Sequence, residues 1–158
     1  MPERPTPEPT RPLAPEALRL FVVEVLLATV PCAAVAIAIG FAVVGGWVGI
    51  VISVVAVVVV IASAIAVPRL RLARFRFEVR EDEIDLRHGI VIETRTLVPM
   101  VRVQHVDTRR TPASRFFGLA AVAFHTAAGA IEIPALREAD AAAIRDRIAD
   151  LALQPEVL

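Results

Sequence analysis

The sequence predicts an α+β protein with membrane helices: a two-helix transmembrane hairpin, then a small antiparallel β domain closed by one C-terminal helix. Three observations predict it. Residues 25–68 form a run of 44 without a charged side chain. Residues 75–134 alternate apolar and polar side chains in short stretches, broken by Gly, Pro and acidic turns. From Leu136 onward the apolar spacing lengthens to that of a helix.

The composition agrees. Of 158 residues, 56% are hydrophobic and the mean hydropathy is +0.66, too apolar for an ordinary small soluble domain. The formal net charge is zero, so charge provides no argument for a nucleic-acid partner, and none is expected. Cys32 is the only cysteine, which excludes a disulfide framework and a cysteine metal cluster.

Residues 1–17 contain six prolines and little apolar surface, so they read as a disordered Pro-rich tail. The long apolar stretch behind them does not resemble a cleaved signal peptide. Residues 18–68 read as the hairpin. One crossing takes about 20 apolar residues, and this run holds two. Gly45-Gly46 supplies the turn, Trp47 suits the interface, and the helices fall at about 20–44 and 47–67. Runs such as Val57-Val58-Val59-Val60-Ile61 have no polar face, which argues against core helices of a soluble protein. Arg69, Arg71, Arg74, Arg76 and Arg80 follow the second helix, opposed only by Glu78. Arginine enrichment marks the cytoplasmic side. A multi-pass protein of the cell membrane, with both termini cytoplasmic, is expected.

Residues 69–158 read as a cytoplasmic domain. Phe75–Arg80 and Ile84–Arg87 alternate as half-buried strands around the turn Glu81-Asp82-Glu83. His88-Gly89 turns the chain into a strand over Ile90–Val98, and Pro99 ends it. Val101–Arg109 is a fourth strand. Thr111–Gly118, with Pro112 near its start, is one helical turn. Ala121–Thr126 and Ala130–Pro134 form a further hairpin. Leu136, Ala141, Ile144, Ile148 and Leu151 make the apolar face of a helix over about 137–152. Short antiparallel strands closed by a helix suit a small sandwich or partly open barrel.

Two segments, Val98–Val106 and Arg115–Val122 followed by Thr126-Ala127, resemble the bacterial pleckstrin-homology (PH) domain membrane proteins of the YdbS-like family. The likeness covers both apolar helices and about residues 70–153. It implies a PH-like antiparallel barrel or sandwich capped by the C-terminal helix and held at the inner membrane face. It brings no known biochemical activity.

No constellation points to catalysis. His88, His105 and His125 are scattered, without HExxH or i,i+4 spacing. None of Ser53, Ser63 and Ser114 sits in GxSxG, and there is no Walker loop. No catalytic, cofactor-binding or metal residue is therefore expected, nor any cofactor or small-molecule substrate. PH domains that bind inositides carry cations around their first inter-strand loop. Here that loop is Arg80-Glu81-Asp82-Glu83, which is net acidic. The residues expected at the membrane surface are Arg69, Arg71, Arg74 and Arg76, where each basic side chain contributes about 1 kcal/mol against anionic lipid. The reading is a non-enzymatic protein-interaction scaffold whose partners are the lipid bilayer and either a second copy or another PH-domain membrane protein. The alternative is an accessory subunit of a transport or envelope-stress complex.

Overall fold

The computed structural model describes residues 8–153, which fall into two compact units. Leu18–Leu70 make one. The residues before Leu18 group with those after Leu70 to make the other.

In the first unit, α1 (Ala17–Ile39) passes through a π-helical turn at Gly40–Val44 and reverses into α2 (Gly46–Arg74). Gly45 and Gly46 take φ of 62° and 54°, a left-handed backbone that glycine adopts without a steric penalty. A Cβ at Gly40 would lie 3.2 Å from the Ile52 side chain, and one at Gly49 3.2 Å from the Phe41 ring. The small residues thus serve close packing inside the hairpin. Thr29, Ser53 and Ser63 donate their hydroxyls to Val25 O, Gly49 O and Val60 O of their own helices. Only 11% of the most apolar window of α1, and none of that of α2, is buried by protein. Both helices are long and apolar enough to cross a membrane, and they lack the burial of soluble core helices. Pro68 does not end α2. Proline forfeits one N–H bond, but its fixed φ is helical, and the helix runs on to Arg74.

The second unit is built on two antiparallel sheets. One has the order β1 (Arg11–Pro12), β2 (Arg76–Val79), β3 (Glu83–His88), β4 (Thr94–Pro99). The other has the order β5 (His105–Arg109), β6 (Leu119–Thr126), β7 (Gly129–Arg137). A 3-10 turn, Met100–Arg102, links them. The two sheets do not close into a barrel. Alternation sets the register. Phe77 and Val79 face inward opposite Leu86 and Ile84. α3 (Pro112–Phe116) is held by a reciprocal cap: Ser114 N donates to Thr111 Oγ1 at 3.1 Å, and Thr111 N to Ser114 Oγ at 2.8 Å. α4 (Glu138–Leu153) lies on β5, β6 and β7 and buries Ala141, Ile144 and Ile148.

Beyond the longer α2, the structure departs from the expectations in four places. The Pro-rich segment is not a solvated tail over residues 8–17. Arg11 and Pro12 pair with Phe77 and Arg76, Leu13 is buried, and Glu16 forms an ion pair with Arg137 at 2.8 Å. Residues 1–7, the rest of that expected tail, and residues 154–158 lie outside the described residues. The strand expected at Ile90 begins at Thr94, because Gly89 at φ 123° turns the chain sharply and residues 90–93 form the loop. The strand expected at Val101 begins at His105, after the 3-10 turn. The strand expected to end at Pro134 runs to Arg137 through a bulge, with Ala135 in the left-handed region at φ 53°.

Candidate functional site

The arginines expected at the membrane surface sit where α2 gives way to β2. Arg69, Arg71 and Arg74 are exposed on the last turns of α2, and Arg76 opens β2. Their positive charge suits the negative end of the helix dipole. Arg76 Nη1 donates to Leu72 O at 3.3 Å and to Phe75 O at 2.8 Å, satisfying carbonyls that the helix end leaves open. Arg74 donates to Ile90 O, in the loop between β3 and β4.

The acidic turn between β2 and β3 lies at the other end of those strands. Its one cation is already engaged. Arg80 meets Glu83 at 2.8 Å and Glu78 and Asp85 at 3.8 Å each. Asp85, with no exposed surface, is clasped by Arg95: Nε to Oδ1 at 3.1 Å and Nη2 to Oδ2 at 2.6 Å. That two-point hydrogen bond raises the Arg95 pKa above its ordinary value. The pair is diagonal across β3 and β4, so it emerges only from the register. An anion headgroup at this turn would face carboxylates.

The histidines are less scattered than their spacing implies. His105 and His125 are direct cross-strand partners on β5 and β6. His105 Nε2 lies 2.8 Å from Asp107 Oδ1, and His125 Nε2 3.6 Å from Asp107 Oδ2. His88 stacks against Phe75 at 6.2 Å. Among the described residues, no group of three or more His, Cys, Asp or Glu is arranged to hold a metal ion.

Two concavities border strand edges. β4 and β7 each end a sheet. A cleft of about 490 Å³ runs between them, lined by Leu97, Val98, Val101, Ala127 and Ile131 among others. A second, of about 520 Å³, is lined by Phe75, Leu86, Thr94, Ala130 and Pro134 among others. Thr96 and Ile131 line both, so the two make one groove between the edges of the two sheets. Sequence reasoning missed this groove, because β4 and β7 are far apart in the chain.

Two helices long and apolar enough to cross a membrane, leading into two antiparallel sheets, define a membrane-associated protein with a small β domain. The comparisons agree on its kind. The bacterial PH domain family model matches residues 19–152, and the chain belongs to that family. The match takes in both helices as well as the sheets. The chain is 35% identical over 151 residues to the UPF0699 transmembrane protein YdbS of Bacillus subtilis (strain 168), covering 92% of this chain and 94% of that protein. No solved structure matches.

Proposed function

We propose that the protein is a non-enzymatic interaction scaffold, in which the PH-like domain binds another protein by strand addition at the cytoplasmic face of the membrane. The observation that carries this reading is the pair of sheet edges, β4 and β7, flanking one apolar groove. An edge strand offers unpaired N–H and C=O groups, which a partner strand completes while its side chains fill the flanking pockets. Leu97 is 45% exposed on β4, an apolar anchor at that edge. A second copy could pair β4 with β4 about a two-fold axis, and another PH-domain membrane protein could offer its own edge. The reading takes the chain as multi-pass with both flanks cytoplasmic. In support, β1 before the hairpin pairs with β2 after it, and arginines crowd the exit of α2. Arg69, Arg71 and Arg74 then lie against anionic headgroups.

The test is a photoreactive residue at Leu97 in the full chain, irradiated in intact cells. The expected product is a crosslink to a second copy or to another membrane protein, lost when Thr96→Pro spoils the edge. A chain that stays strictly monomeric in mild detergent and forms no protein crosslink overturns the scaffold. Salt-resistant binding of that monomer to a single headgroup would replace it with a lipid receptor.

A further inference from the structure

Turn tips in small domains are built from Gly, Asn, Asp, Ser and Pro. The loop between β3 and β4 breaks that rule. It reads Gly89-Ile90-Val91-Ile92-Glu93, three successive β-branched aliphatics, and the last two are exposed. Val91 is 91% exposed and Ile92 79%, the highest values for aliphatic side chains in this unit. Exposed runs of this kind are errors of patterning unless something covers them.

The loop is a rigid presentation, not a loose end. A Cβ on Gly89 would lie 1.9 Å from Ile92 O, so only glycine permits the close turn. Arg87 Nε meets Glu93 Oε1 at 2.5 Å across the base of the loop. Arg74 donates to Ile90 O.

The last contact says what covers the tip. Arg74 ends α2, six residues beyond Pro68, the last residue of the uncharged run. At a rise of about 1.5 Å per residue, the loop is tethered roughly 9 Å along the helix from that boundary. The headgroup layer is about 5–8 Å deep, so the base of the loop lies at its outer edge, where Arg74 holds a cation on Ile90 O. Strand direction agrees. β2 leaves α2, β3 returns, and the 89–93 loop closes at the returning end, with His88 paired to Thr94.

We infer that the 89–93 loop is a membrane wedge: Val91 and Ile92 insert into the headgroup–acyl boundary of the bilayer that α2 crosses. The loop would fix the tilt of the domain on the surface, which a helix tether alone leaves free. The inference rests on α2 being a membrane helix and is independent of the strand-addition reading.

The test uses the full chain with Cys32→Ala, reconstituted in vesicles of mixed phosphatidylcholine and phosphatidylglycerol. An environment-sensitive fluorophore is attached at Val91→Cys, Ile92→Cys or Val101→Cys in turn. Val101 is the control, 74% exposed but beside the acidic turn, where Met100 N donates to Asp82 O. Labels at positions 91 and 92 should shift to shorter wavelength and lose emission to lipids carrying a shallow acyl-chain quencher. The label at 101, which lines the β4–β7 groove, should not be quenched by the lipid. Equal emission and quenching at 91 and 101 overturns the wedge. A blue shift at 91 without quenching by lipid also overturns it, because a protein surface then covers the tip.

Discussion

Leu13→Ala tests whether the Pro-rich segment belongs to the domain. Leu13 is 4% exposed, in the short stretch between β1 and α1. The substitution removes three side-chain carbons, and at about 0.8 kcal/mol per buried methylene the transfer loss is about 2.5 kcal/mol. A residual cavity adds to that, and buried Leu→Ala changes span about 2–5 kcal/mol. Leu13 borders an open cleft of about 400 Å³ shared with Phe77, Leu136 and Ile144, so water can enter and the cost stays near the lower end. A small domain has about 5–15 kcal/mol in total. With a urea dependence of about 1–3 kcal/mol per molar, the unfolding midpoint should fall by about 1–2 M. Pulse proteolysis of the full chain in mild detergent, read as survival of the domain across a urea series, measures this. Arg11→Ala is the control, since that exposed residue pairs through its backbone. A Leu13→Ala midpoint equal to that of the parent would refute the packing of residues 8–17 on the domain.

Three further outcomes are expected. Ile148→Ala, at a site with no exposure on α4, should cost about 2–5 kcal/mol, and Ile148→Val about 0.5–1.5 in the same assay; equal midpoints would mean that the helix does not dock. The hydrogen bond from Arg87 holds the Glu93 carboxyl below its ordinary value of 4.5. A lowered folded pKa gives stability that is present above the unfolded value and lost as pH falls through the folded one. The parent should therefore lose more thermal stability than Glu93→Gln on acidification through and below pH 4.5, and parallel curves would deny the pair a role. With Cys32→Ala, an impermeant thiol reagent applied to intact cells should label Trp47→Cys and spare Asp140→Cys; the reverse pattern inverts the orientation.

Much of the architecture was legible because its causes are local. Phe75, Phe77 and Val79 alternate with Arg76, Glu78 and Arg80, and the pleat converts that into a buried and an exposed face. Gly45-Gly46 marked the reversal, and Pro112 and Gly118 bracketed α3. β1 was invisible. Its pairing with β2 uses backbone groups, and an Arg-Pro dipeptide among prolines bears no apolar period. Ile90–Ile92 was misread as strand because β-branched residues favour strands, and only the close approach at Gly89 reveals a loop. The Asp85–Arg95 clasp, the meeting of His105 with His125 and the β4–β7 groove all depend on register or on sheet placement. One chain read in order does not encode these in any short window. The arginines after the second helix stand out in sequence, but the commitment of Arg76 to helix carbonyls needed the geometry of the helix end.

The pairing of Arg11 and Pro12 with Phe77 and Arg76 also sets an order of assembly. The ribosome delivers β1 first, yet its partner strand follows only after both apolar helices have been made. The first sheet is therefore completed late in synthesis, and only if both flanks of the hairpin remain in one compartment. A nascent chain that inserted a single helix would strand β1 across the bilayer. It would leave β2 with an open edge and the niche for Leu13 unfilled. On the multi-pass reading proposed above, the same few residues that seal the sheet would report whether an even number of crossings was made.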